Sequence, residues 1–170
     1  SRMLFFSSSE IYGDPFPEFV PTSEDYRGNV STRGPRACYD ESKRLGETLC
    51  WVYQTYFDVH VCVARPFNVY GPGQPSDFLL PHIINQLKTA SEIRVKDLEP
   101  KRDYVFVKDL ISAIIKAVEA DLAFEIFNIG FGESYSVGDI IIFLQKLYNS
   151  NLPVYSEETS RKGEIMNTIA

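Results

Sequence analysis

The chain has 170 residues, a net charge of −6, and 44% hydrophobic and 14% aromatic residues. This composition is typical of one globular unit or of a piece of a larger one, and it excludes a disordered chain. The negative charge disfavours nucleic acid as a partner, because binding to a phosphate backbone needs a basic face. The three cysteines lack the spacing of a zinc site, so we expect no metal centre. No apolar run is long enough for a membrane span, and we expect a cytoplasmic protein without a membrane partner.

The spacing of apolar residues predicts strands that alternate with helices. Predicted strands cover residues 3–6, 59–64, 93–95, 125–129 and 153–155, and predicted helices cover 39–56, 78–89, 107–119 and 137–148. Proline and glycine predict loops over residues 14–37 and 65–73, and Ser136-x-x-Asp139 has the pattern of a capping box at the start of the last helix. Alternating strands and helices indicate an α/β fold with a largely parallel sheet.

Tyr39 and Lys43 form the strongest chemical pattern in the sequence. Positions i and i+4 share one face of a helix, so the phenol and the ammonium group are expected to be neighbours. A positive charge close to a phenol stabilises the phenolate. Such a phenolate can accept a proton from an alcohol while hydride leaves the same carbon. An ordinary pair of surface residues has the same spacing, so the pattern needs support from elsewhere in the chain.

Polar residues follow two of the predicted strands at the points where these strands end. Ser7-Ser8-Ser9-Glu10 follows the first strand, and residues 65–68, Arg-Pro-Phe-Asn, follow the second. Parallel sheets bind ligands at the carboxyl ends of their strands. A serine hydroxyl there can donate to the oxygen of an alcohol or ketone, and Glu10 can serve as a further acid or base. A structural turn is the alternative interpretation of both segments.

Four motifs in this order resemble the nucleotide-sugar branch of the extended short-chain dehydrogenase/reductase family. They are Ser-Ser-Ser-Glu-x-Tyr-Gly, Tyr-x-x-x-Lys, Arg-Pro-x-Asn-x-Tyr-Gly-Pro and Arg-Asp-Tyr-Val-x-Val-x-Asp, at residues 7–13, 39–43, 65–72 and 102–109. The resemblance implies bound NAD and a nucleotide-diphosphate sugar as substrate. It also implies part of a Rossmann-like parallel sheet in residues 1–70 and 105–130. A small substrate-binding α/β subdomain would then comprise residues 71–104 and 131–170.

The same resemblance implies roles for individual residues. The catalytic set would comprise Ser8, Glu10, Tyr39 and Lys43. The cofactor would contact Ser7, Tyr39, Lys43 and Pro66. The substrate would contact Ser9, Asn68, Arg102 and Arg161. Tyr39 would be the base, and the two arginines would hold the diphosphate, because a planar guanidinium can bind phosphate oxygens in pairs.

Within this branch, residues 34–41, Gly-Pro-Arg-Ala-Cys-Tyr-Asp-Glu, are most similar to UDP-glucuronate decarboxylases, and Glu10 agrees with that subfamily. Ser9 occupies the position at which dTDP-glucose dehydratases have aspartate, which disfavours that activity. Two features depart from the decarboxylase pattern: Ser8 replaces the more usual threonine, and the sequence of residues 65–74 is closer to general epimerases. A UDP-hexose 4-epimerase and a non-catalytic sugar-nucleotide-binding fragment therefore remain alternatives. The resemblance also implies a homodimer that pairs through the Tyr-Lys helix.

The Gly-x-x-Gly-x-x-Gly turn, through which this family binds the pyrophosphate of NAD, does not occur in the sequence. We therefore expect the chain to be the C-terminal half to two-thirds of a longer enzyme. Without that turn, the isolated polypeptide is expected to bind NAD poorly and to be inactive.

Overall fold

The structure, a computed structural model, describes residues 2–120, 122–159 and 164–170. These residues form an α/β fold, as predicted. The strands are β1 (Arg2–Phe6), β2 (His60–Pro66), β3 (Asn68–Tyr70), β4 (Ile93–Val95), β5 (Lys101–Phe106), β6 (Phe124–Ile129), β7 (Ser134–Ser136) and β8 (Val154–Ser156). The α-helices are α1 (Ala37–Phe57), α2 (Leu79–Thr89), α3 (Val107–Glu119) and α4 (Val137–Leu147). A short 3-10 helix follows β1 at Ser9–Tyr12, and a second lies at Pro17–Phe19.

The largest parallel sheet has the strand order β1-β2-β6. Val61 and Val63 of the central strand β2 are completely buried, as expected for a β-branched strand covered on both faces. The carboxyl ends of the three strands lie at one edge of the sheet. There, the backbone amide of Ser7 donates to the carbonyl oxygen of Ala64 at 2.8 Å, and Phe67 donates to Ile129 at 2.9 Å. The segments that follow β1 and β2 are therefore neighbours.

A second sheet has the order β3-β5-β7, with β3 parallel and β7 antiparallel to β5. These three strands lie in segments for which the sequence analysis predicted a loop or no element. A separate parallel pair joins β4 to β8. A hydrophobic cluster beneath these elements comprises Ile83, Ile93, Val95, Val137, Ile140, Ile141 and Leu144. All seven belong to the predicted substrate-binding subdomain, whereas the predicted boundary between residues 104 and 105 falls inside β5. The division into two subdomains remains a prediction.

Helix α1 packs closely against the end of β1, because Gly46 leaves room for an aromatic ring. A Cβ atom at Gly46 would lie only 2.2 Å from Cζ of Phe5. A larger residue at this position would require the Phe5 ring or the helix to shift. The close packing brings the first turns of α1, which contain Tyr39 and Lys43, next to the carboxyl end of β1.

The capping box at the start of α4 is confirmed. Ser136 Oγ accepts a hydrogen bond from the amide of Asp139 at 3.0 Å, and Asp139 Oδ2 accepts from the amide of Ser136 at 2.9 Å. The hydrogen bonds from Ser136 lower the pKa of the Asp139 carboxyl group. Across the described ranges, the helices are too short or too polar to cross a membrane.

Candidate active site

A cleft of about 1160 Å³ lies beside the carboxyl edge of the central sheet. Predicted site residues that line it are Ser7, Ser8, Tyr39, Pro66, Asn68 and Arg102. The far wall comes from the second sheet and from α2, β4 and α4. The described residues that line the cleft do not include Ser9, Glu10 or Lys43, and Arg161 lies outside the described residues. The fold thus gathers most of the predicted site residues in one cleft.

Tyr39 and Lys43 share one face of α1, as their spacing predicts. The ammonium nitrogen of Lys43 lies 5.7 Å from the centroid of the Tyr39 ring, and it donates to the carbonyl oxygen of Phe6 at 2.8 Å. This hydrogen bond holds the ammonium group at the end of β1, beside the Tyr39 ring. An ammonium group has three donors, so Lys43 can also donate to a ligand.

Ser7 and Ser8 are both buried and both line the cleft. Ser8 Oγ accepts a hydrogen bond from the amide of Glu10 at 3.2 Å and caps the 3-10 helix. Its own O–H remains able to donate, because a hydroxyl is both donor and acceptor. Ser7 Oγ has no hydrogen-bond partner among the described residues. A buried hydroxyl without a partner is costly, so a polar ligand atom would stabilise it.

Glu10 is held by Arg36, a residue to which the sequence analysis gave no role. Nε of Arg36 donates to Oε2 of Glu10 at 2.8 Å, and the guanidinium carbon lies 5.4 Å from the centroid of the Tyr39 ring. Arg36 lines the cleft. Its position three residues before Tyr39 was the signal that could have identified it.

Asp40 is a third charged residue in this group. Its side chain is buried, and Oδ1 has no hydrogen-bond partner in the described part of the chain. Burial raises the pKa of this carboxyl group, and the charge of Glu10 adds to the effect, whereas Arg36 opposes it. Arg36 therefore has one direct carboxylate partner, Glu10, and interacts electrostatically with a second carboxyl group, that of Asp40.

Arg102 lines the cleft from β5, and its guanidinium is paired with an acidic residue. Nη2 donates to Oε1 of Glu164 at 2.6 Å, and Nη1 donates to the carbonyl oxygen of Lys101 at 2.9 Å. A diphosphate bound by Arg102 would have to share this guanidinium with Glu164 or displace the carboxylate. The neighbouring Tyr104 also lines the cleft, and burial raises its pKa to about 12.

A buried hydrogen-bond network connects the elements that carry Tyr39 and Ser8. Arg65 on β2 donates from Nε and Nη2 to the two carboxylate oxygens of Glu47 on α1, at 2.9 and 2.6 Å. Its Nη1 donates to the hydroxyl of Tyr12 at 2.7 Å, and that hydroxyl donates to Asn128 on β6 at 2.7 Å. The network therefore joins helix α1, the 3-10 helix after Ser8 and two strands of the sheet.

The fold and the site define an α/β protein with a polar ligand cleft at the carboxyl edge of a parallel sheet. Two serines and the tyrosine of the Tyr-Lys pair line this cleft. The chain belongs to the NAD dependent epimerase/dehydratase family, whose sequence profile matches residues 1–130. This finding confirms the family resemblance that the four motifs indicated.

Individual relatives agree with this assignment. UDP-glucuronic acid decarboxylase 1 of Xenopus tropicalis is 34% identical over 153 residues, which represent 88% of this chain and 36% of that protein. The structure of RMD from Pseudomonas aeruginosa, complexed with NADPH, has a TM-score of 0.88 at 25% identity, covering 99% of this chain and 57% of that one. UDP-glucuronic acid 4-epimerase from Bacillus cereus, in complex with UDP-glucuronic acid and NAD, has a TM-score of 0.84 at 28% identity, covering 100% and 52%. The chain spans less than half the length of the curated relatives it matches.

Proposed function

We propose that this chain provides the catalytic and sugar-binding part of an enzyme that decarboxylates a UDP-linked uronic sugar through transient oxidation of a sugar hydroxyl. The observation that carries the proposal is the arrangement of Tyr39 and Ser8 on one cleft, with the ammonium group of Lys43 beside the phenol ring. The similarity to a UDP-glucuronic acid decarboxylase and to an epimerase that binds UDP-glucuronic acid supports the choice of substrate.

The residues beside β1 fit the cofactor of the family. Ser7 offers a buried hydroxyl without a partner among the described residues, and Lys43 has donors beyond the one bound to Phe6. We propose that these two residues and Tyr39 hold NAD, with Pro66 forming part of the adjacent cleft wall. When bound, NAD would supply the hydride acceptor for the oxidation and the hydride donor for the return step.

Proton transfer at the sugar would be the work of Tyr39 and Ser8. Tyr39 accepts the proton of the sugar hydroxyl as a general base, and the ammonium nitrogen of Lys43 lies 5.7 Å from the centroid of its ring. Ser8 donates its O–H to the same sugar oxygen, while its Oγ keeps the hydrogen bond from Glu10. Glu10 would act as a further acid or base after oxidation. It would first have to separate from Arg36.

We propose that the rest of the substrate lies along the cleft towards β5. Asn68 on β3 would contact the sugar nucleotide, and Arg102 on β5 would bind the diphosphate in place of Glu164. Ser9 and Arg161 complete the proposed set of substrate contacts. The guanidinium groups of Arg102 and Arg161 are suited to a dianionic diphosphate.

We also propose that the enzyme is a homodimer that pairs through α1. This helix exposes large apolar side chains at Leu45, Leu49, Trp51, Tyr53, Tyr56 and Phe57. Several exposed large apolar side chains on one helix are typical of a protein interface. A twofold dimer would cover the same face on both subunits.

Product analysis tests the proposed reaction. The intact protein that contains these residues, incubated with UDP-glucuronate and NAD, is expected to release CO₂ and UDP-xylose without net accumulation of NADH. Chromatography of the nucleotide sugars and trapping of CO₂ measure both products. Formation of UDP-galacturonate without CO₂ would instead support the 4-epimerase alternative, which the Bacillus cereus relative makes plausible. Binding without any turnover would support a non-catalytic sugar-nucleotide module.

The 170-residue polypeptide by itself is expected to bind NAD weakly and to show no turnover. Its sequence contains no Gly-x-x-Gly-x-x-Gly turn, so it lacks the backbone amides at a helix N-terminus that bind the pyrophosphate. Titration calorimetry of this polypeptide with NAD measures the affinity. A dissociation constant in the micromolar range would contradict the expectation.

A further inference from the structure

Arg36 presents part of its guanidinium group to the cleft. Its side chain is 56% exposed and lines the cleft. A guanidinium group has five N–H donors in a planar fork. The hydrogen bond to Glu10 uses the donor on Nε. Nη1 and Nη2 make no hydrogen bond to any residue in the described ranges, so this edge of the fork is open to a ligand.

The position of Arg36 suits a negatively charged group on the reacting sugar. Its guanidinium carbon lies 5.4 Å from the centroid of the Tyr39 ring, so an anion bound there would be next to the proposed general base. Arg36 also immediately precedes α1, and the N-terminus of a helix carries a partial positive charge. The proposed diphosphate residue, Arg102, lies on β5, a different wall of the cleft.

The charges around Arg36 leave it able to bind a further anion. Glu10 is its direct carboxylate partner through Nε. The second neighbouring carboxyl group, Asp40, has a raised pKa because of burial and the charge of Glu10. The one hydrogen bond that Arg36 makes to an acidic residue in the described ranges is therefore the bond from Nε to Glu10.

We propose that Arg36 binds the carboxylate of the sugar through Nη1 and Nη2, and that it selects a uronic sugar over the neutral sugar with a hydroxymethyl group. This inference rests on the proposed function, because it takes a UDP-linked sugar as the ligand of the cleft. A carboxylate matches the fork of a guanidinium group with two parallel hydrogen bonds. A hydroxymethyl group offers neither the charge nor the second acceptor.

The test compares the affinities of two nucleotide sugars that differ at this one group. Dissociation constants for UDP-glucuronate and UDP-glucose are measured by calorimetry on the intact protein with NAD. The wild-type protein is expected to prefer UDP-glucuronate. Arg36→Gln is expected to reduce this preference about 10- to 100-fold, the range for losing hydrogen bonds between charged groups. Arg36→Lys, which keeps the charge but loses the fork, is expected to restore part of the preference.

Arg33→Gln is the matched control, because Arg33 is an exposed arginine of the same segment and is not among the described residues that line the cleft. Its preference is expected to equal that of the wild-type protein. The inference is overturned if Arg36→Gln leaves the ratio of the two dissociation constants unchanged, whether the affinities for both nucleotide sugars stay the same or fall equally. In both cases the proposed function stands. If the wild-type protein binds neither UDP-glucuronate nor UDP-glucose, the proposed function itself is contradicted.

Discussion

Replacement of Tyr39 by phenylalanine is expected to lower kcat for UDP-glucuronate by about 10²- to 10⁴-fold, the usual contribution of a general acid or base. The change removes a single oxygen atom. It leaves the aromatic ring beside Arg36 and Lys43, and the hydrogen bond from Lys43 to Phe6 is independent of the phenol. The affinity for UDP-glucuronate is therefore expected to change only a few-fold. Steady-state kinetics and titration calorimetry on the intact protein measure the two quantities separately.

Tyr148→Phe is the matched control for this experiment. Tyr148 is 41% exposed and Tyr39 is 42% exposed, so both changes remove a hydroxyl from a similarly accessible ring. Tyr148 lies at the end of α4, and the described residues that line the cleft do not include it. Its variant is expected to keep wild-type kcat. If Tyr39→Phe also keeps kcat within tenfold, Tyr39 is not the base and the proposed oxidation step is wrong.

The sequence predicts the fold where an element depends on its own apolar pattern. The bounds of α3 agree with the prediction, and β6 differs from it by one residue. Strand β5 was missed because one of its two buried positions is Asp103 and the other is Val105. A charged residue at a buried position conceals the alternation of apolar and polar residues that predicts a strand. Asp103 is completely buried, and it accepts hydrogen bonds from the amides of Phe131, Gly132 and Ala170 at 2.6 to 3.1 Å. The partners that make this burial tolerable are distant in sequence.

In the candidate site, too, neighbours along one helix could be predicted, whereas contacts between residues far apart in sequence could not. Tyr39 and Lys43 could be paired from their spacing, because helical geometry fixes their relative positions. The partnership of Arg36 with Glu10 joins residues 26 positions apart, and no local rule connects them. The three-residue strands β3 and β7 likewise obtain their hydrogen bonds from β5 rather than from a pattern of their own. Strands this short can be recognised only from the three-dimensional structure, in which their pairing partner is visible.

The buried network around Arg65 explains why α1 holds Tyr39 at a fixed position relative to Ser8. Both carboxylate oxygens of Glu47 accept hydrogen bonds from Arg65, and the side chains are only 12% and 7% exposed. Nη1 of Arg65 donates to the hydroxyl of Tyr12, which lies in the 3-10 helix directly after Ser8, and to the carbonyl oxygen of Glu24. Any change that breaks the ion pair should affect both the stability of the fold and the geometry of the cleft.

Glu47→Gln is expected to lower the free energy of unfolding by about 3–5 kcal/mol, because it leaves the positive charge of Arg65 buried without a counter-charge. Equilibrium unfolding in urea measures the loss through the transition midpoint at an unchanged slope. Glu41→Gln is the control on the same helix. Its ion pair with Arg44 spans 3.9 Å between side chains that are more than one-third exposed, so a change within about 0.5 kcal/mol is expected. If Glu47→Gln costs no more than Glu41→Gln, the Arg65–Glu47 pair does not stabilise the fold, and the position of α1 must depend on other contacts, such as the packing of Gly46 against Phe5.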